Sequence, residues 1–275
     1  KATTGPDDPA RTADVVIASM PTVSRRKMVG SEFRQGRKEL DVVVFDEAHH
    51  APAKTYYQTL AGLGVGERIF LGLTATPTRT AKTDRSRLEG LFNQGIVHLT
   101  TYVELMREQI LARPLHRLID LEGDQIDVSE WERKIEEENE LPPDLLAKLA
   151  NDVKRTRQIV AHVRDHRDEY KPMLVFAVNL AHAKQLSREL VEAGVNAQYL
   201  DGETPKGERR RHVEDLKAKK LDALVNVGVL MEGTDIPQVK GVVITRPTMS
   251  ETIYTQMVGR GSRGPAVPGG TAEFH

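Results

Sequence analysis

Val42-Val43-Val44-Phe45-Asp46-Glu47-Ala48-His49 is the stretch on which the reading of the fold turns. Four consecutive apolar residues end in two adjacent carboxylates. Apolar side chains at every position, rather than every second one, mark a strand buried on both faces, as parallel strands between helix layers are. Ligands of open α/β sheets bind at the carboxyl edge of such strands, which is where Asp46 and Glu47 are delivered. One carboxylate can hold Mg²⁺ through water while its neighbour orients and deprotonates an attacking water. Those are the two tasks that phosphoanhydride hydrolysis asks of side chains. Taken alone, the pair reads equally well as the end of an ordinary strand followed by an acidic helix N-cap.

Outward from this run the same alternation continues in both directions. Strands are expected at Val15–Ala18, Val42–Phe45, Ile69–Leu73 and Val97–Thr100, then at Leu115–Asp120, Met173–Val178, Asn196–Leu200, Ala223–Val227 and Gly241–Thr245. Helices fit Ala53–Leu63, Ser86–Phe92, Tyr102–Ile110, Ala181–Ala193, Pro205–Lys219 and Ser250–Gly259. Strands alternating with longer helical patterns predict an α/β fold with parallel sheets. A charged helical segment, 129–170, broken at Pro142-Pro143, separates two strand groups. The expectation is two parallel-sheet domains, residues 1–112 and 113–275, the second containing that segment. The sequence opens at Lys1 rather than Met and is soon in the strand-like run at Val15, so the first domain is expected to be truncated at its N-terminus.

Composition narrows the function. The 275 residues contain no cysteine, which excludes a disulfide-stapled module, a Cys-ligated metal site and a thiol nucleophile. Hydrophobic residues make up 39% and charged residues 29%, an ordinary globular balance that argues against a disordered chain. No apolar run approaches the roughly 20 residues of a bilayer span, and with no targeting signal in view a cytoplasmic protein is expected. A net charge of -1, from 39 basic and 40 acidic residues, gives no bulk electrostatic case for nucleic acid, so that case must rest on local residues.

Those local residues follow the strands. Ile69–Leu73 runs into Thr74-Ala75-Thr76-Pro77, which puts two hydroxyls on a turn at the same sheet edge as Asp46. Further on come Met231-Glu232-Gly233-Thr234-Asp235-Ile236-Pro237 and the run Gln256-Met257-Val258-Gly259-Arg260-Gly261-Ser262-Arg263. In order and spacing the set resembles the superfamily two helicases of the DEAD/DEAH type. Asp46–His49 looks like their Walker B motif, Thr74–Thr76 like motif III, Met173–Asn179 like motif IV, Gly233–Pro237 like motif V and Gln256–Arg263 like motif VI. Ala18–Thr22 is similar to the nucleic-acid-contacting turn ahead of Walker B. Asp-Glu-Ala-His-His, Leu-Thr-Ala-Thr-Pro and the closing Arg-Gly-Pro most resemble the branch that holds restriction-enzyme Res subunits and related double-stranded DNA translocases.

The resemblance implies two RecA-like domains acting as an ATP-dependent DNA helicase or translocase, with nucleotide in the cleft between them. RNA is not distinguished from DNA, and restriction or phage-defence subunits are the implied partners. Asp46 would coordinate Mg²⁺ and Glu47 would activate water, while His49, Thr74 and Thr76 would couple ATP to nucleic acid. Gly233, Asp235 and Gln256 would join His49 in contacting nucleotide, and Arg260 and Arg263 would act as arginine fingers. Ser19, Thr22 and Thr204 would contact the phosphate backbone. By themselves, two arginines beside glycines are more often a solvated loop.

The sequence departs from that family at one point that matters. ATP-hydrolysing members hold phosphates with a Gly-rich loop ending in Lys-Ser/Thr, and the 275 residues contain none. Gly202-Glu203-Thr204-Pro205-Lys206-Gly207 has the glycine spacing but continues Glu208-Arg209, so it reads as a strand-to-helix turn with Thr204 as N-cap or backbone contact. Family order places the absent loop upstream of Lys1. A non-catalytic nucleic-acid-binding or regulatory module is the alternative. Three weaker patterns read better as surface: Gly259–Gly264 follows a helix rather than a strand, His162 and His166 lack a third metal ligand, and Arg209–Arg211 with Lys217, Lys219 and Lys220 fit a charged helix face as well as a phosphate backbone. Trp131 is solitary and says little.

Overall fold

The computed structural model describes residues 14–25, 42–76, 82–119, 129–132, 135, 141–228 and 235–275. Two compact units divide the chain, Lys1–Leu99 and Thr100–His275.

In the first unit, β1 (Val42–Asp46) and β2 (Ile69–Leu73) pair in parallel, with Val42 opposite Ile69 and Asp46 opposite Leu73. The connection between them runs through a 3₁₀ turn (Ala48–His50) and a helix, Lys54–Gly62. A short helix, α1 (Met20–Arg25), precedes this sheet; the helix after β1 is α2, and α3 (Lys82–Leu91) follows β2. The core gathers Phe45, Ala48, Ala51, Leu60 and Val65, with Phe70 and Phe92 packed against it. Phe70 and Phe92 stack with ring centroids 4.7 Å apart. That stack is possible because Gly72 has no side chain: a Cβ there would lie 2.6 Å from the Phe92 ring and 2.8 Å from the Ala48 methyl.

The second unit begins with α4 (Tyr102–Arg107), whose Thr101 and Glu104 form a reciprocal capping box. The strand β3 (Arg113–Pro114) follows, and then a helical stretch made of α5 (Pro143–Asn151), α6 (Val153–Asp165) and α7 (Arg167–Tyr170). Helical backbone at Glu132 and Ile135 gives way to non-helical backbone at 141–142, and Pro143 opens α5, since proline suits the first helical position. Four parallel strands, β4 (Met173–Phe176), β5 (Ala197–Leu200), β6 (Ala223–Asn226) and β7 (Gly241–Ile244), form one sheet in the order β5-β6-β4-β7. Helices α8 (Leu180–Glu192) and α9 (Lys206–Lys217) make the crossovers, and α10 (Glu251–Val258) follows β7. The sheet separates two apolar clusters. Val163, Met173, Val175, Leu186 and Leu190 fill one side, while Leu174, Phe176, Leu200, Leu216 and Met257 fill the other. Here the continuous apolar pattern does mean burial on both faces. Last in the chain, β8 (Glu273–Phe274) pairs with β3.

Several expectations need correction. Val15–Ala18 and Val97–Thr100 are not strands, and neither is 115–119. Ile17 and Val97 project into solvent, and an extended apolar run becomes a strand only where a neighbour accepts its backbone hydrogen bonds. The both-face burial expected for β1 and β2 also fails: Val44, Ile69 and Leu73 are exposed. Trp131, far from being uninformative, is buried, donates its indole N–H to Asp144 at 2.8 Å and lies under the Lys148 ammonium. Asp120, Pro77 and Gly233, with the rest of 231–234, lie outside the described residues. No helix among the described residues is long and apolar enough to cross a membrane.

Candidate nucleotide and nucleic-acid sites

β1 ends at Asp46, and Glu47 turns the chain out of the sheet with φ 52 and ψ 51. A left-handed backbone at a side-chain-bearing residue is uncommon and costs on the order of 1 kcal/mol. The turn is held by the Glu47 N–H donating to Asp46 Oδ1 at 2.9 Å. It lets the following 3₁₀ turn carry His49 back under the sheet edge, where its side chain is 2% exposed.

His49 is the pivot of the first unit's site. Its Nδ1 lies 2.9 Å from Thr74 Oγ1 and 3.4 Å from Glu47 Oε2. Thr74 Oγ1 accepts from the Thr76 N–H at 3.1 Å and donates to the Thr76 carbonyl at 3.3 Å. A hydroxyl has one hydrogen, so the direction of the His49–Thr74 bond follows the His49 tautomer: an Nδ1–H donates to Thr74 and leaves the hydroxyl hydrogen for the Thr76 carbonyl, whereas a bare Nδ1 accepts it. The acidic turn after β1 and the hydroxyl turn after β2 are thereby joined by one chain of hydrogen bonds. Parallel pairing of Asp46 with Leu73 puts both turns at the same edge. The arrangement brings Asp46, Glu47, His49, Thr74 and Thr76 together.

Asp46 commits Oδ1 to the turn, and the side chain is exposed. One carboxylate of this kind fits a Mg²⁺ ion that takes most of its shell from water and phosphate oxygens. Among the described residues no group of three or more His, Asp or Glu could hold a metal unaided.

Ser19 and Thr22 also meet: their hydroxyl oxygens are 2.9 Å apart at the start of α1, and the Ser19 carbonyl accepts from the Thr22 and Val23 N–H groups. In the second unit Thr204 is not the N-cap of α9. Pro205 occupies that position, and the Thr204 hydroxyl instead donates to Asp201 Oδ1 at 2.8 Å while accepting from the Asp201 N–H. Asp201 also takes the Glu203 and Thr204 N–H groups, and these bonds hold its carboxyl below the usual range. Asp201 was missed in the sequence, although Asp followed three residues later by Thr at a strand end is a turn signal.

Arg260 and Arg263 both lie beyond the end of α10. Arg260 sits in the turn that closes the helix, half-buried, with Gln256 half-buried one turn earlier. Arg263 lies in an extended stretch bridged to Leu111, and its Nε donates to Asp235 Oδ1 at 2.9 Å. Two residues expected to reach nucleotide separately therefore engage each other. Both are substantially exposed, so the pair adds little stability and either partner is available to a competitor.

A parallel sheet with chemistry-bearing turns at its carboxyl edge defines a nucleotide-binding α/β class, and comparisons with known proteins make it specific. Residues 153–264 match the family described as helicase conserved C-terminal domain, and residues 2–79 match type III restriction enzyme, res subunit. "Putative ATP-dependent helicase IRC3" of Saccharomyces cerevisiae is 27% identical over 258 residues, covering 91% of this chain and 35% of that protein. The chain thus spans about a third of the length of that relative. The fragment structure of an HsdR subunit, described as putative, of a type I restriction enzyme from Vibrio vulnificus YJ016 has the same fold, with TM-score 0.64, 21% identity, and coverage of 86% of this chain and 42% of that one. S. cerevisiae Dbp5 bound to RNA and ADP BeF3 aligns with TM-score 0.50 and 16% identity over 85% of this chain and 53% of its own. The units are RecA-like helicase domains. The two family matches and the helicase relative support a superfamily two helicase of the DEAD/DEAH type, similar to the restriction-enzyme Res branch.

Proposed function

We propose that this chain contributes the hydrolytic carboxylates and arginines of an ATP-driven DNA helicase or translocase, working with the subunits of a restriction or phage-defence system in the cytoplasm. The observation that carries the reading is the 2.9 Å contact from the buried His49 to Thr74. A turn that senses phosphate through Asp46 and Glu47 is tied by it to a neighbouring turn, the kind of link a motor needs between hydrolysis and movement. Asp46 would hold Mg²⁺, which when bound supplies charge neutralisation at the phosphates. Glu47 takes the proton of the attacking water, from the left-handed turn that leads the chain out of the strand. Gly233, Asp235 and Gln256 are the proposed nucleotide contacts of the second unit. Arg260 and Arg263 are the proposed donors to charge developing on the phosphoryl group, and in this role Arg263 exchanges Asp235 for the anion. Ser19 and Thr22 are proposed to donate to backbone phosphates. With its hydroxyl hydrogen given to Asp201, Thr204 would contribute its position rather than a donor.

The phosphate loop is absent from the 275 residues, and this favours a second reading, a non-catalytic nucleic-acid-binding module. Both readings expect negligible ATP turnover by this chain alone. They part in a protein that supplies the loop from additional polypeptide. There, Glu47→Gln should keep nucleotide binding and lose hydrolysis, and Arg263→Ala should cut hydrolysis by about a thousandfold. Wild-type turnover in both variants would remove these residues from catalysis and leave the module.

A further inference from the structure

The four strands of the second unit's sheet all begin at the edge opposite the Asp201–Thr204 turn. The segments that lead into them, just ahead of Met173, Ala197, Ala223 and Gly241, surround a pocket of about 340 Å³. Five cations line it: Arg167, Lys171, Lys219, Lys220 and Lys240. Only two carboxylates join them, and both are engaged. Asp222 accepts from Arg167 Nε at 2.8 Å and from the Asn196 N–H at 2.9 Å, and Asp168 pairs with Lys171 at 2.6 Å. Lys220 reaches Asp215 at 3.7 Å. Among the described residues, Lys219 and Lys240 pair with no carboxylate.

The backbone at Lys219 makes the arrangement harder to dismiss. Helix α9 ends in a Schellman motif, with the Lys219 N–H on the Leu216 carbonyl and the Lys220 N–H on the Asp215 carbonyl. This puts Lys219 at φ 58, a left-handed position that favours glycine. Helix α8 ends in the same way and has Gly194 there, at φ 85. A lysine strained into a glycine position calls for a reason. Attraction to the helix C-terminus accounts for cations at Lys171, Lys219 and Lys220. It does not account for a left-handed lysine, or for Lys240, which arrives on a loop before β7. Four of the five cations are lysines, which meet phosphate as point charges, whereas recognition of a carboxylate favours the arginine fork.

We propose that this pocket, at the sheet edge opposite the Asp201–Thr204 turn, binds clustered phosphate groups supplied by a nucleic-acid backbone or a free polyphosphate. The site is independent of the hydrolytic role proposed above. Arg167, fixed by Asp222, forms the rigid wall; Lys219 and Lys240 supply the uncompensated charge; and binding weakens with salt as counterions are released.

The test uses the 275-residue chain, titrated with sodium tripolyphosphate by calorimetry at low salt. Affinity should fall by about tenfold or more in Lys219→Gly/Lys240→Ala, since each lost charge-assisted contact is worth roughly that factor. The melting temperature of Lys219→Gly should stay level or rise, because glycine fits the backbone, and Lys240→Ala alone gives a second variant with no backbone change. No binding to wild type, or equal binding to the double variant, would overturn the proposal. So would a hexaglutamate peptide that binds as tightly and is lost equally. A single-stranded DNA dodecamer identifies the source: reduced DNA affinity in the double variant assigns the phosphates to nucleic acid, and unchanged DNA affinity beside lost tripolyphosphate binding assigns them to a free polyphosphate.

Discussion

The two parallel sheets are built from the same kind of sequence and end in different states. In the second unit Leu174 and Val175 are 0% exposed, one on each side of a four-stranded sheet. In the first unit Val44, Ile69 and Leu73 are 56%, 60% and 54% exposed along one face of a two-stranded sheet. Parallel strands are stable when helices or further strands cover both faces. The second unit meets that condition with residues of its own, and the first does not meet it among the described residues. Chemistry and stability are therefore unevenly distributed. The carboxylates and the His49 relay stand on the less covered sheet, while the second unit has the deep core.

The sharpest way to break this comparison is to truncate one side chain in each sheet. Phe176, 2% exposed, fills the core between β4 and α10, and Phe176→Ala should cost about 3–5 kcal/mol in unfolding free energy. Leu71 is partly exposed on the open face of β2, so Leu71→Ala should cost less than about 1 kcal/mol. Denaturant titration with hydrogen exchange resolved by segment measures both. Comparable losses would mean that the face bearing Leu71 is covered in solution.

A smaller effect should appear only in the second unit, as pH falls. His182, 1% exposed near the start of α8, accepts the Val178 N–H on Nδ1 at 3.3 Å and lies 3.5 Å from Thr156 Oγ1. Burial, reinforced by the nearby Arg155 charge, lowers its pKa to about 4 from an ordinary value of 6.5. The unfolded chain then takes a proton at a pH where the folded one refuses it. Stability is thus fully present above pH 6.5, is lost as pH falls toward 4, and changes no further below that. The window is worth on the order of 3 kcal/mol. Between pH 7 and pH 4 wild type should lose about that much more stability than His182→Asn, in which the asparagine carbonyl can accept the same N–H. Parallel pH profiles for the two proteins would show that His182 titrates normally.

Much of this was legible in the sequence, and the failures have physical causes. Ile69–Leu73 coincides with β2 residue for residue, and β4 to β7 fall inside their expected spans, because runs of Val, Leu and Ile flanked by turn residues have few other uses. The same composition misled at Val15–Ala18 and Val97–Thr100, since a strand is a property of a pair and a single segment does not reveal its neighbour. The carboxylates and hydroxyls of the first unit could be named from motif spacing. The hydrogen bond that unites them could not, because it depends on the left-handed turn at Glu47. The pairing of Arg263 with Asp235 spans 28 residues and involves no local pattern. The basic pocket was half visible: Lys217, Lys219 and Lys220 stand together in the sequence, but Arg167 and Lys240 join Lys219 and Lys220 only when the strands line up, and Lys217 turns to Glu214 instead.

The smallest effect tests whether packing in the open sheet reaches the chemistry at its edge. Gly72 lies one residue before the end of β2, and an added methyl would press on the Phe92 ring at 2.6 Å and on Ala48 at 2.8 Å. The Phe92 ring can slide along Phe70, whereas Ala48 is fixed beside His49 in the 3₁₀ turn. Overpacking of this kind costs about 1–3 kcal/mol. Gly72→Ala should therefore lower stability by that amount, and adding Phe92→Leu should recover only the part due to the ring. Whatever remains must be absorbed by the turn, lengthening the His49 to Thr74 contact. Imidazole resonances of His49 should then shift in Gly72→Ala and stay shifted in the double variant. If they return to the wild-type position once Phe92 is trimmed, the methyl presses on the ring alone, and the relay is insulated from the packing of the sheet that holds it.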